Sequence, residues 1–384
     1  MAVPARLRAF YFFYYAGLGV SLPYLAPYLR GLGLSGAEIG GLQMIGPLLY
    51  APVGLAWAAL ADRLGAPARA LRLAAALAVA VQIFLPFAHS VWMLGAVMIG
   101  TGLCVPALVP LVDAIAMESL RVGGGTYPRT RLFGSLGYIV LAQGLGLALT
   151  ARGDASGDIL VPFGMLACAA GCALTAQLLP DPPAQPARDA RAMVTLLGDR
   201  RLRLLMAVSA LHWACSAPYN VFYGVFVLEH GLPASVTGMG SAVGVLAEVC
   251  VLLVAGALEA RYSIRALLGV AFAATALRWG LLSRADSAVA IVGLQLLHGL
   301  TFGLFWPTVV RALSRYVPPS FRATGQALFG AVVFGAANAL AVELSGWAYD
   351  RLGSVAPLYG VCAAVELLPL ALVLLVGRSI LDPP

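Results

Sequence analysis

Three ionisable side chains, Glu248, Arg278 and His298, interrupt three successive apolar stretches between Ser241 and Thr301. Each sits more than a helical turn inside a run of Val, Leu, Ala and Gly. A charge at membrane depth is expensive unless it is paired or faces a water-filled cavity, so its presence points to function by default. One acid, one permanent cation and one group that titrates near neutral pH are together the inventory for moving a proton. Burial disfavours the carboxylate form and a nearby guanidinium favours it. A motion that brings Arg278 up to the acid or takes it away would therefore release or load a proton, with Glu248 the first candidate carrier and Asp113 the reserve. The alternative is a buried network that only holds helices together. Interhelical polar bonds in membranes average under about 1 kcal/mol, a weak reason to keep three such groups.

A second constellation lies upstream. Asp113 is buried in an apolar run, Gly123-Gly124-Gly125 makes a turn, and Arg131 follows early in the next segment. At 1.5 Å rise per residue the acid lies about 15 Å and the Arg about 10 Å from that turn, so the two can meet across an antiparallel helix pair. The pair reads either as a substrate-binding constellation or as a structural brace. Tyr14 and Tyr15 lie deeper than the other rings of the run Phe10 to Tyr15, which itself fits an interfacial aromatic belt. Buried hydroxyls need partners, so these two are candidates for lining a cavity. In the seventh segment Tyr219 and Asn220 are placed facing the same cavity, whereas His212, nearer that segment's start, is placed at the interface. Glu343 is expected near an outer helix end within reach of water, and Glu366, central in its segment, is left without an assignment.

The elements that must position these groups follow from composition. With 61% hydrophobic and 11% charged residues and a mean hydropathy of +0.90, the chain lies far from soluble domains, which carry about 25% charged residues. Hydropathy divides it into twelve apolar stretches, at 9–30, 39–60, 71–88, 91–115, 131–150, 159–179, 203–228, 235–257, 265–283, 287–311, 323–345 and 355–377. Nearly all approach the ~20 residues a spanning helix needs. The first is too long for the apolar core of a cleavable signal, so none is expected. A Pro- and Arg-rich stretch at 181–202 separates residues 1–180 from 203–384, giving two six-helix halves joined by a cytoplasmic linker. An acid-and-Arg signal after the second segment, Asp62-Arg63-Leu64-Gly65, recurs at the same place in the second half as Glu259-Ala260-Arg261. That layout is expected of a two-domain transporter with a central cavity.

The net charge of +7 comes from 24 Arg and no Lys. With the N-terminus in the cytoplasm, 19 Arg fall on the inner side and only Arg30, Arg152, Arg284 and Arg351 outside, leaving Arg278 within a helix. The basicity is thus an orientation signal that places both termini in the cytoplasm, and no nucleic-acid partner is expected. All six Cys lie in apolar segments without a CxxC or an accompanying His, so no metal or cofactor is expected. With no nucleotide-binding loop and no sizeable soluble domain, the chain does not read as an enzyme.

The acid, Arg and Gly after segment two resemble the signature of the major facilitator superfamily, although Ala58 stands where that signature has Gly and the second copy lacks the final Gly. The resemblance implies an all-α membrane fold of twelve helices and gives Asp62 and Arg63 the role of a gating latch, where a solvated ion pair is the plainer reading. Asp113, Arg131, Phe133, Gly134, Ser135 and Tyr138 resemble the lactose permease pattern for a substrate-binding pair and its stacking ring. In that branch an acid, an Arg and a His occupy the helices that here carry Glu248, Arg278 and His298, but the second carboxylate, three residues after the His, is replaced by Thr301. Ala247-Glu248-Val249, Arg278-Trp279-Gly280 and Leu297-His298 with Thr301-Phe302 are similar to the phenylpropionate permease group. The resemblance implies a monomeric, multi-pass inner-membrane symporter that takes up protons with a small aromatic carboxylate by alternating access. A sugar or nucleoside symporter, or proton-driven efflux of a hydrophobic compound, would use much the same residues.

Overall fold

The computed structural model of the protein describes residues 3–123, 126–154, 156–181, 196, 198–375 and 381. Most of the expected linker, and the Gly124-Gly125 turn, lie outside them. Among the described residues the chain is helical throughout, with six long helices before the linker and six after. The first half comprises α1 (Val3–Gly31), α2 (Gly36–Leu64), α3 (Pro67–Phe87), α4 (Val91–Leu120), α5 (Tyr127–Ala151) and α6 (Leu160–Ala176). The second comprises α7 (Arg200–Glu229), α8 (Ala234–Arg261), α9 (Ile264–Leu282), α10 (Ala288–Tyr316), α11 (Thr324–Leu352) and α12 (Ala356–Leu375). Nine are long and apolar enough to cross a membrane. Of the other three, α1 and α7 are long enough but diluted by Tyr, Pro, Arg, His and Asn, and α6 is an apolar helix of 17 residues. Both ends of the described chain lie at one end of the bundle, here the terminal end; the opposite end is the distal end.

Local chemistry sets the breaks. Pro106 can neither donate to the helical ladder nor clear the carbonyl four residues back, and α4 passes through a 3₁₀ turn at Val105–Ala107. In α10 a 3₁₀ turn at Leu294–Leu297 is followed by a π-helical turn at Gly299–Leu304. Two glycines there admit α8: a Cβ on Gly299 would lie 2.7 Å from the Ala247 carbonyl oxygen, and one on Gly303 3.1 Å from that of Glu248. The departure from regular helix thus sits beside the titratable cluster, as π-turns often do.

The halves are tied together at the distal end by a reciprocal device. Asp350, in the last turn of α11, accepts hydrogen bonds from the first amides of α2, Gly36 (2.7 Å) and Ala37 (2.8 Å). Asp154, just beyond α5, accepts from the first amide of α8, Ala234 (2.8 Å), while Thr150 Oγ1 accepts from Ser235 (3.0 Å). The fifth helix of each half therefore caps the second helix of the other, satisfying its unpaired amides and its dipole. Asp154 adopts φ 55°, left-handed backbone that Asp tolerates better than most residues. Small residues close the seams. A Cβ on Gly346 would lie 2.2 Å from the Gly36 carbonyl oxygen, and one on Gly224 2.0 Å from that of Pro23. Arg30 bridges the halves to Glu229 at 2.9 Å, and Glu229 is further held by the Tyr349 hydroxyl and the Val355 amide. The helix caps and the ion pair that join the halves all lie at this distal end.

Candidate functional site

Two polar clusters lie within the bundle, one in each half. In the first half Asp113 accepts a 2.5 Å hydrogen bond from the hydroxyl of Tyr11, which is wholly buried. Arg131 bonds the Tyr15 hydroxyl and lies with its guanidinium carbon 4.0 Å from the centre of that ring and 5.4 Å from the Tyr11 ring. Tyr127 sits beside both charges. The direct Asp113–Arg131 contact expected from the helix rise does not form: the tyrosines stand between them, and the two interact only through space. Tyr11, at the shallow end of an apparent aromatic belt, is thus part of the cluster, which only the fold could reveal.

On the same face of α4, one turn from Asp113, begins a cavity of about 310 Å³ bounded by α1, α2 and α4 and by Phe334 of α11. Tyr14, Gln43, Tyr50 and Thr101 give it polar edges, and Leu25, Leu42 and Met98 are among its apolar walls. Tyr14 lines this cavity as expected, whereas Tyr15 turns to Arg131. Ser135 is half-buried on α5. Tyr138 reaches across the seam to Ser241 of α8, within electrostatic range of Glu248 and Tyr219.

In the second half Arg278 is 1% exposed and organises its surroundings. It donates to His298 Nδ1 (3.0 Å) and Thr301 Oγ1 (3.2 Å) through Nη1 and to Gln295 through Nη2. Its plane lies over Tyr219 (4.4 Å) and Trp279 (4.6 Å), and Trp279 in turn stacks on Tyr359. His298 Nε2 stands 3.7 Å from Glu248 Oε2, and both side chains are about one-fifth exposed. The donors fix the tautomer. A guanidinium only donates, so Nδ1 must accept, and the single ring proton is on Nε2, directed at Glu248. While Arg278 holds this position His298 cannot become imidazolium without setting an N–H against an N–H. Glu248, Arg278 and His298 are thus brought together, with Tyr219 stacked over the guanidinium. Asn220 is half-buried one residue on.

Three further sites noted in the sequence find their places here, and one of them, His212, departs from its expected position. His212, expected at the interface, is 1% exposed, because α7 begins at Arg200 and twelve residues carry it about 18 Å into the helix. Its partner is Glu366 of α12, Nδ1 to Oε1 2.7 Å, 154 residues away, a pairing no sequence spacing could disclose. Glu343, expected to reach water, is half-buried, with Oε2 buried against Gly41 in the α2–α11 seam and without a hydrogen-bond partner. Asp62 and Arg63 ride the last turn of α2, ended by Gly65 at φ 58°, and both are exposed with no ion pair among the described residues. Gln295, at i−3 from His298, went unread in the sequence, and Thr301, at i+3, was read only as the replacement of a carboxylate; both accept from Arg278.

A family profile described as "MFS_1 like family" matches residues 5–359. The "Probable 3-phenylpropionic acid transporter" of Escherichia coli (strain K12) is 29% identical over 362 residues, 89% of this chain and 90% of that one. The "Maltose permease" of Geobacillus stearothermophilus is 28% identical over 370 residues, 94% and 92% of the two chains. Among solved structures, the nucleoside transporter NupG superposes with a TM-score of 0.84 at 17% identity, over 97% of this chain and 99% of that one.

Proposed function

This chain belongs to the MFS_1 like family and is a multi-pass membrane transporter of the major facilitator fold, and from that premise we propose that it carries a small aromatic carboxylate inward together with a proton. The observation that carries the proposal is the Arg278–His298–Glu248 chain, in which one fixed cation sets the tautomer of an imidazole aimed at a partly exposed acid. Such a chain loads a proton on Glu248 while Arg278 is held on His298, and would release it when helix movement brings the guanidinium up to the acid. Arg131, over the Tyr15 ring, supplies a cation for a carboxylate, and the cavity edged by Tyr14 and Tyr50 supplies rings for an aromatic body. The similarity to a phenylpropionate transporter along nearly the whole of both chains supports the same substrate class.

With both termini cytoplasmic, the tied distal end faces outward and the described state is open to the inside. Asp62 and Arg63, exposed here, act as a latch in the opposite state. The protein works as a monomer in the bacterial inner membrane.

Proteoliposomes with an imposed pH gradient test this directly. Aromatic acids are expected to accumulate against their gradient, with nucleosides and disaccharides excluded, and Glu248→Gln is expected to abolish the response to the pH gradient. Accumulation indifferent to the gradient would reject symport, and outward pumping of lipophilic dyes would replace it with efflux.

A further inference from the structure

The His212–Glu366 pair is used by nothing described so far. Both side chains are buried, at 2% and 0% exposure, on α7 and α12. Phe272 of α9 and Phe305 of α10 cover the imidazole at 4.9 and 4.4 Å between ring centres. The titratable groups packed around the acid are Cys215 of α7, whose thiol makes a weak hydrogen bond with the carboxyl, and Cys362 of α12. His212 Nε2 lies 3.2 Å from the Thr301 carbonyl oxygen of α10. That oxygen can only accept, so Nε2 carries the ring proton and Nδ1 is a lone pair unless a second proton is present. Yet Nδ1 stands 2.7 Å from Glu366 Oε1, a distance that a lone pair and a carboxylate cannot share without a proton between them. The other carboxyl oxygen, Oε2, is buried with no hydrogen-bond partner, far costlier for an anion than for the carbonyl of a neutral acid.

We propose that Glu366 is a protonated acid donating to neutral His212, and that this pair is a second proton-binding site. Thr301 joins it to the first: its carbonyl accepts from His212, while its hydroxyl accepts from Arg278, which also holds His298. Both contacts fall on the π-helical turn of α10, whose regular ladder is already interrupted. Loss of the proton would set a carboxylate against the Nδ1 lone pair and part α12 from α7, and the strain would reach Arg278 through one residue. As a step in transport this rests on the proton-coupled reading; as a protonated buried acid it does not.

Infrared difference spectroscopy of the reconstituted full chain at neutral pH reads the acid without any substrate. A deuterium-sensitive carboxylic acid carbonyl band is expected, absent in Glu366→Gln, shifted in Glu366→Asp and retained in Glu248→Gln. A wild-type spectrum without such a band, or one in which Glu366→Gln leaves it unchanged, overturns the protonation. Transport reads the coupling. Glu366→Gln can donate the same hydrogen bond but cannot release a proton, so gradient-driven accumulation is expected to fall at least about tenfold while solute exchange persists. Glu366→Gln accumulating like wild type overturns the coupling and leaves a structural brace. Wild type itself indifferent to the gradient would defeat the symport reading instead and leave the infrared result standing.

Discussion

Arg131 is the residue at which charge and shape are most closely joined, because its guanidinium lies over Tyr15 while bonding that ring's hydroxyl. A lysine keeps the charge but loses the plane and the fork. Arg131→Lys is therefore expected to raise the uptake KM about tenfold with maximal rate little changed, as the loss of a stacked contact of 1–2 kcal/mol would give. At His298 the expectation runs the other way. His298→Gln presents no ring nitrogen to relay a proton, so the pH dependence of uptake should flatten while equilibrium solute binding stays within about threefold, as for a loss confined to the coupled step. Outside the spans, Asp158 is pushed up by burial but held below the usual carboxylate range by the stronger pull of Arg152 Nε (2.7 Å) and the Leu160 amide (2.8 Å). Its stabilisation is thus present above the unfolded carboxylate value of about 3.9 and is lost as pH falls through the lower folded value. Thermal unfolding of Asp158→Asn followed against pH should show less acid sensitivity below about pH 4 than wild type.

At the scale of elements, the seams that shut the distal end leave no room for side chains. Gly346 on α11 and Gly224 on α7 each meet backbone oxygens of the first half, which cannot swing aside as a side chain could. Gly346→Val should hold α2 and α11 apart at that end while leaving each half folded, since the clash lies only between halves. Net uptake is expected to drop about tenfold or more as closure becomes rare, and a thiol reagent applied from the distal side should reach cysteines introduced beside Gly40, which wild type shields. The same change at Gly144, where a Cβ meets nothing within 4 Å, is the control. In α10 Gly299 and Gly303 likewise let α8 approach, closely enough that His298 Nε2 stands 3.7 Å from Glu248 Oε2.

For the whole molecule, the reciprocal acid caps make distal closure a property of both halves at once. Each lost cap costs about 1 kcal/mol, a factor of about five in the closed-to-open ratio. The Asp154 and Asp350 contacts share no partner, so the two losses should add. Asp154→Gly with Asp350→Ala, which remove the accepting carboxylates, is expected to shift the ratio by about 25-fold, read as the populations of two distances between spin labels on the distal ends of α2 and α8 and of α5 and α11. The four Arg outside the inner-side majority also find their reason here: Arg30 bridges the halves to Glu229, Arg152 pairs with Asp158, Arg351 stacks on Trp347 and Arg284 bonds a carbonyl at the end of α9. The sequence by itself determined the membrane class, the helix count and the joining of Glu248, Arg278 and His298, because apolar length and the penalty on buried charge are local properties that survive without coordinates. It also placed Tyr14 deep enough to line a cavity. Only the tertiary structure decided that tyrosines separate Asp113 from Arg131, that His212 meets Glu366 across 154 residues, and that the second helix of each half is capped by the other. Those contacts depend on how helices far apart in the chain rotate and cross, and a hydrophobic periodicity shared by nearly every face of a membrane helix carries no record of that.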